Sequence, residues 1–288
     1  MNDRLVRNVS DTALWAALHR AKETERGDGQ FQDPFARRLA GERGEQIAAA
    51  LAFSEADSWS WMARTYLFDE FITAQVRDGA DIIVNLGAGL DTRPYRMNLP
   101  ASLIWIEVDL PDILAYKQEI LASEHPHCHL ELVPLDLADV SARRSMFNTF
   151  SDRATKGVVL TEGLLIYLAS DAAGILARDL AAAPALQHWI VDIVSPGLLR
   201  MLRERTNEKF SETASPLQFG PENGPRFFEA HGWKVEDVQS LLKTAGRLNR
   251  LPEAMSQLAL LPEDPSCMGT QPWGGVCLLE QVRLRSED

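Results

Sequence analysis

Residues 82 to 93, Ile-Ile-Val-Asn-Leu-Gly-Ala-Gly-Leu-Asp-Thr-Arg, constrain the fold of this chain more than any other stretch. An apolar run ends abruptly at Gly87-Ala88-Gly89, and the acidic Asp91 opens a new segment. Runs of this kind, without polar alternation, mark strands buried on both faces. The glycines remove β-carbons where the backbone must bend sharply, and they let a ligand approach the main chain closely. One glycine turn says little by itself. The rhythm after it says more, because Trp105-Ile-Glu-Val-Asp109 and Leu130-Glu-Leu-Val-Pro-Leu-Asp136 repeat an apolar run closed by an acid.

From Ile82 onward, apolar runs at 82–86, 103–108, 130–135, 157–161 and 188–194 alternate with helical stretches near 92–97, 111–123, 140–150 and 170–183. That alternation calls for crossover units and a doubly wound, mostly parallel α/β sheet, with ligands outside the carboxyl ends of its strands. Residues 1–78 read as helical. Ser10 and Asp11 are candidate caps before Leu14, Trp15 and Leu18, and Ala63, Leu67, Phe71 and Ala74 form an amphipathic stripe. The expected division is a helical N-terminal cover over 1–78 and an α/β domain over 79–288, with an insertion near 197–225. Gly232 suits a helix C-terminal cap before an extended segment, and Val276 to Leu284 reads as a closing antiparallel edge strand.

Composition excludes several classes. With 29 basic against 41 acidic residues the chain carries a net charge of −12, so neither nucleic acid nor an acidic membrane surface is an expected partner. Three scattered cysteines fit a reducing compartment rather than a disulfide framework. No run is long and apolar enough to span a bilayer, and the first residues lack the apolar core of a secretion signal, which together point to a cytoplasmic protein. Oligomeric state leaves no mark. Glu124-His-Pro-His-Cys-His129 looks like a metal motif, but strand alternation places His127 and His129 on one face and Cys128 on the other. Zinc ligands usually come from separated segments, and this one leads into the third strand from the far end, so no metal is expected.

If the first three strands are neighbours, Gly87 to Asp91, Asp109 and Asp136 share one rim. Asp109 lies 22 residues after Gly87, where a carboxylate accepts both hydroxyls of a ribose. Asp136 can accept an adenine amino group while the Leu137 amide donates to a ring nitrogen. The alternative for each acid is a cap on the following helix. A dinucleotide site would want a third glycine and a pyrophosphate on the helix start. Here Leu90-Asp91-Thr92 follow Gly89, and Asp91 would repel a pyrophosphate yet tolerate an ammonium group. S-adenosylmethionine carries one.

Asn85 to Arg93, Glu107-Val-Asp-Leu-Pro111, Asp136-Leu137, Thr161-Glu-Gly-Leu-Leu-Ile-Tyr167 and Ala63-Arg-Thr65 together resemble the leucine carboxyl methyltransferase superfamily, which includes bacterial polyketide O-methyltransferases and actinobacterial relatives. The resemblance runs from about Thr12 past Asp33-Pro34 to the Tyr167 region and fades after Pro196. It implies a seven-stranded Rossmann-like class I methyltransferase that uses S-adenosylmethionine and releases S-adenosylhomocysteine. Carried over by motif, Arg64 pairs with the cofactor carboxylate; Gly87, with Ala88, Gly89 and Asp91, lines its methionine end. Asp109 and Leu110 sit at the ribose, Asp136 and Leu137 at the adenine, and Glu162 beneath the amino or sulfonium group. Arg64 could instead be a solvated helix position and Glu162 a structural hydrogen-bond partner.

The implied acceptor is a small-molecule or peptide carboxylate, aligned by Lys22 or Tyr167. A carboxylate is ionised at neutral pH and needs no base. A phenol or alcohol, the alternative, usually needs one, and the recognised motifs contain no histidine, although loops could bring in His19, His188 or His231. Trp59, Trp61, Tyr66 and Phe68 either wall an acceptor pocket or form the core face of a helix. An NAD-linked oxidoreductase and a non-catalytic adenosine-binding module are the readings from other classes.

Overall fold

The computed structural model describes residues 9–51, 58–206, 216–267 and 269–282. Seven strands form one sheet: β1 (Ile82–Leu86), β2 (Ile104–Asp109), β3 (His129–Pro134), β4 (Gly157–Thr161), β5 (Leu186–Val194), β6 (Trp233–Ser240) and β7 (Gly274–Gln281), in the order β3-β2-β1-β4-β5-β7-β6. The first five are mutually parallel; β7 runs antiparallel to both β5 and β6. The connecting helices are α4 (Arg93–Arg96), α5 (Pro111–Ile120), α6 (Val140–Ser151), α7 (Ser170–Ala181), α8 (Pro196–Thr206), α9 (Leu241–Arg247) and α10 (Glu253–Ser256), preceded by α1 (Val9–Thr24), α2 (Ala36–Leu51) and α3 (Trp59–Arg77).

Alternation along the strands builds two cores. Ile82, Val84, Leu86, Ile106 and Val108 face one layer, where Phe147 and Phe150 of α6 and Leu176, Ala177 and Leu180 of α7 cover them. Ile83, Trp105, Val158, Leu160 and Ile190 face the other, covered by Leu67, Phe68, Phe71 and Ile72. These last four recur at helical spacing on α3, so α3 is itself a layer of the sheet sandwich.

Two expectations are corrected. Strand β7 is antiparallel but not an edge: it lies between β5 and β6, with Val276, Cys277, Leu278 and Leu279 all buried. Its central run is continuously apolar because its two faces pack into the two cores, and β6, with its partly exposed residues, is the edge on that side. Residues 283 and 284 of the expected strand lie outside the described residues. Ser10 and Asp11 fall inside α1, which already begins at Val9, rather than ahead of it. Within the expected insertion, α8 occupies Pro196–Thr206, and residues 207–215 lie outside the described residues. Gly232 does cap its helical turn, at φ 92°.

Just below the carboxyl end of β2, Lys117 Nζ donates to both carboxylate oxygens of Glu107 at 2.7 Å, and both side chains are buried. Burial pushes the Glu107 carboxyl up to about 7, against the pull of Lys117. Removing one partner strands the other charge in the core. Lys117→Met is therefore expected to lose about 3–5 kcal/mol of unfolding free energy in a urea titration, and Lys117→Met with Glu107→Gln to recover part of it; an unchanged midpoint in the single variant would show that the pair is not structural.

Candidate functional site

Successive strands run outward in one direction through β1, β2 and β3 and in the other through β4 and β5. The carboxyl ends of β1 and β4 therefore diverge into a crevice. The turn after β1 opens it. Gly87 and Gly89 adopt φ of 65° and 50°, backbone that L residues rarely take, and a β-carbon on Gly87 would come within 3.1 Å of Leu164. The turn is anchored to β2, since the Gly87 and Ala88 amides donate to the Val108 carbonyl at 2.8 and 3.3 Å.

Asp109 completes that anchor, accepting from the Gly89 amide at 2.6 Å and from the Leu110 amide at 2.7 Å. Burial pushes its carboxyl up while these two donors pull it back. Asp109 is thus no helix cap; α5 begins with Leu110 as its N-cap residue. Nor is Asp136, which accepts from the Ala138 amide, since Asp139 caps α6 through the Ala142 amide at 3.0 Å. The exposed Asp136 is left at the rim beside Leu137, whose carbonyl accepts from Arg143 at 2.6 Å. Leu110 and Val140, two of the large apolar side chains that stay exposed, line the same cavity.

A web of charge closes the floor. Arg93, with a side chain 3% exposed, donates to Asp69 at 2.6 Å and Asp91 at 2.7 Å and pairs with Glu162 at 2.9 Å. Arg96 pairs with Asp69 at 2.7 Å. Arg64 pairs with Glu162 at 3.1 Å and Asp192 at 3.4 Å, with its guanidinium 4.6 Å from the Trp61 ring centre. Asp91 also accepts from Asn85 Nδ2 at 2.8 Å and the Arg93 amide at 2.9 Å. Burial raises the Asp91 carboxyl, but Arg93 and then Lys117, Arg96 and Arg20 win and hold it well below the usual carboxylate range. Asp91, expected to tolerate an ammonium group at the helix start, is thus also engaged by Arg93 from its own turn.

Arg64, Gly87, Ala88, Gly89, Asp91, Asp109, Leu110, Asp136, Leu137, Glu162 and Tyr167 all line one cavity of about 1230 Å³. Lys22 does not. Its side chain is exposed in the last turn of α1, whereas Thr12, Ala13, Ala16 and Arg20 form the cavity-facing stripe. Two residues beyond Arg20 the helix has turned by roughly 200°, which points Lys22 away. Burial raises the Tyr167 phenol, against the Thr12 hydrogen bond and the Arg64 charge, so it stays protonated at neutral pH.

None of the three candidate histidines lines the cavity. His19 stacks on Trp61 at 5.0 Å, His188 faces Glu236 and His231 meets Arg178 at 2.9 Å. Of the aromatics, Trp59 and Trp61 reach the cavity while Phe68 is core. His127 and His129 are exposed and Cys128 is buried, as alternation requires, and among the described residues no cluster could hold a metal ion.

Among the cavity residues that sequence reading misses, Asp192, Arg93, Asn85 and Arg20 bear on the charge web. Asp192 sits inside the apolar run Trp189 to Val194, two residues before the end of β5. Arg93 and Asn85 stand at the two ends of the glycine motif without an expected role. Arg20, which donates to Asp33 at 2.8 Å and to the Leu90 carbonyl at 2.5 Å, gives no signal beyond its helical phase.

Two solved structures share this fold over nearly their whole length. A DUF574 family protein from Streptomyces avermitilis aligns with a TM-score of 0.59 at 12% identity, over 94% of this chain and 97% of that one. A structure described as a methyltransferase from Thermobifida fusca aligns with a TM-score of 0.55 at 16% identity, over 98% and 97%. Relatives named as S-adenosyl-L-methionine-dependent methyltransferases are 35% identical in Mycobacterium tuberculosis, over 85% of this chain and 86% of the relative, and 32% identical in Frankia alni, over 84% and 89%. Fold, cavity and relatives define the class as Rossmann-like S-adenosylmethionine-dependent methyltransferases. More narrowly, the leucine carboxyl methyltransferase family profile matches residues 13–181, and the chain belongs to that family. Among the described residues no helix is long and apolar enough to cross a membrane.

The floor has a pH signature. Asp69 is raised by burial but pulled further down by Arg96 and Arg93, so, like Asp91, it titrates below its unfolded value. Such carboxylates contribute stability that is full above about pH 4 and is lost as pH falls through the folded values. Unfolding free energy measured in urea should fall steeply below about pH 4, and Asp69→Asn should flatten that limb; an equally steep limb in the variant would remove Asp69 from the account.

Proposed function

We propose that the protein transfers the methyl group of S-adenosylmethionine to a carboxylate oxygen, forming a methyl ester. The observation that carries the reading is the joint placement of Asp109, Asp136, Glu162 and the Gly87–Gly89 turn on one cavity, although they come from four separated stretches of chain. The residues fit the cofactor. Asp109 keeps acceptor capacity for a ribose after its two backbone bonds, Asp136 and Leu137 stand at an open rim, and the exposed Leu110 and Val140 suit the faces of a flat base.

The charges fit as well. Three guanidinium groups, of Arg64, Arg93 and Arg96, face four carboxylates, of Asp69, Asp91, Glu162 and Asp192, which leaves one net negative charge. S-adenosylmethionine, with sulfonium, ammonium and carboxylate, is a monocation. In this reading Arg64 meets its carboxylate: no described residue accepts from the Nη2 amino group, and a guanidinium fork suits a carboxylate.

The cofactor supplies an activated methyl carbon whose bond to sulfur breaks as the acceptor oxygen bonds to it. The protein has to bind, align and exclude water. No base is required for a carboxylate, and the cavity residues not assigned to the cofactor offer none that is free. No histidine lines the cavity, Tyr167 stays protonated, and the half-buried Asp192 is committed to Arg64 and to the Gly163 amide at 2.7 Å. That absence of a ready proton acceptor among the described residues favours an ester over an ether. Tyr167, with its phenolic proton retained, is suited to donate to the acceptor carboxylate.

Two measurements check this. Calorimetry should show S-adenosylhomocysteine binding, weakened tenfold or more by Asp109→Ala through loss of charge-assisted hydrogen bonds worth about 1.5–3 kcal/mol. Labelled methyl transferred from S-adenosylmethionine should then be released as methanol in mild alkali. No binding would end the methyltransferase assignment, and a base-stable product would replace the ester with an ether.

A further inference from the structure

The cavity has two unlike ends. Around the strand ends its wall is charged. From β5 onward the wall is built from the C-terminal elements and is mainly apolar, with Leu198 and Leu202 of α8, Leu217, Leu241 of α9, Leu258 and Trp273 among its residues and Arg205 at the exposed end of α8. Three large apolar side chains on this part stay open to solvent, Met201 at 37%, Leu258 at 47% and Leu261 at 55% exposure. Of the polar groups here, Arg205 and Gln271 are exposed at the rim, whereas Glu263 is engaged by the protein. Glu263 accepts from the Ser240 hydroxyl at 3.1 Å and the Trp273 indole at 3.3 Å, and the Gln271 carbonyl accepts from Ser195 at 2.6 Å. Tyr167 and Arg64 stand where the two ends meet.

A folded chain of net charge −12 does not leave leucines around a cavity mouth without a use for them. The volume, about 1230 Å³, also exceeds the roughly 300–1,000 Å³ of an ordinary single-ligand pocket, so a second body fits beside the cofactor. The wall decides what that body is. A peptide brings a backbone donor and acceptor per residue, and burying these against leucine leaves them without partners. A short polar acid gains nothing from the wall. An apolar body gains with every methylene it buries.

We infer that the acceptor is a lipophilic carboxylic acid. Its apolar body lies between α8, α9 and the Leu258–Leu261 segment, and its carboxylate meets the Tyr167 phenol. The inference rests on the methyl-transfer reading and narrows it from any carboxylate to this class. In the reaction one carboxylate oxygen forms the new bond to the methyl carbon. The carbon–sulfur bond breaks, its electron pair stays on sulfur as a neutral thioether, and no proton moves.

The test uses the purified full chain and begins with S-adenosylhomocysteine calorimetry, which reads the cofactor end alone. Methyl transfer from S-adenosylmethionine is then compared across acetate, hexanoate, decanoate, palmitate and a short leucine-terminated peptide. From hexanoate to decanoate kcat/KM should rise about fourfold per methylene, with acetate and the peptide at least a hundredfold below decanoate. Leu258→Asp, at an exposed position where a charge leaves folding intact, and Leu217→Asp should each lower kcat/KM for decanoate tenfold or more while the S-adenosylhomocysteine Kd stays within twofold. Cofactor binding with flat chain-length dependence, with the peptide preferred, or with no acid of the series methylated would overturn the inference and leave the cofactor site standing. Failure to bind S-adenosylhomocysteine would overturn both readings at once.

Discussion

The guanidinium of Arg93 is the point on which the site turns. It reaches Asp69 on α3, Asp91 after β1 and Glu162 after β4, and its face lies 5.5 Å from the Phe68 ring centre. No other described side chain joins the helical layer to both strand ends that flank the crevice. A cation this deeply buried persists only when several carboxylates surround it, because the desolvation cost of the bare charge is several kcal/mol. The same carboxylates would be intolerable together without it. The floor is therefore a mutual neutralisation, and moving any one member displaces the others.

That neutralisation also fixes the shape of the glycine turn. Gly87 and Gly89 have no side chains to pack, yet their amides are tied to Val108 and Asp109, and Asp91 two residues on is locked by Asn85 and Arg93. Asp33 extends the lock outward, accepting from Thr92 at 2.7 Å and from Arg20 of α1. Under the proposed function the turn is pre-organised, so binding costs less ordering than a flexible loop would.

How much of this is legible depends on which forces write themselves into a sequence. Parallel strands buried on both faces must be apolar throughout, so β1 and β4 stand out with correct boundaries and β2, β3 and β5 within two residues. Asp109 and Asp136 are visible because each terminates such a run. Asp192 instead interrupts the apolar run of β5 two residues before its end, and the fifth strand lies beyond the three whose ends make the expected adenosine site, so no role draws attention to it. The place of β7 is hidden because its strand character shows in the sequence and its neighbours do not; only the unbroken Val276-Cys-Leu-Leu279 run hints at a partner on each side. Lys22 misleads because it is close to Asp33 in sequence, while helical phase, which turns it outward, decides its position. Partner choice among charges, such as Asp91 with Arg93 and Glu162 with both Arg64 and Arg93, depends on three-dimensional distance alone.

The two ends of the cavity also bear on rate. A carboxylate in water is a poor nucleophile because its hydration shell must be shed, and apolar walls remove that shell before the methyl carbon is reached. Walls that were charged like the floor would hold the acid tightly in its ground state and leave it less reactive, which gains nothing at the transition state. Under the proposed function, an apolar chamber would bind through the unreactive body of the acceptor instead and leave its reacting oxygen held by few groups, Tyr167 among them. Placing affinity and reactivity on different parts of the acceptor requires a pocket divided in this way, with leucines from the C-terminal elements on one side and the Arg93 web on the other.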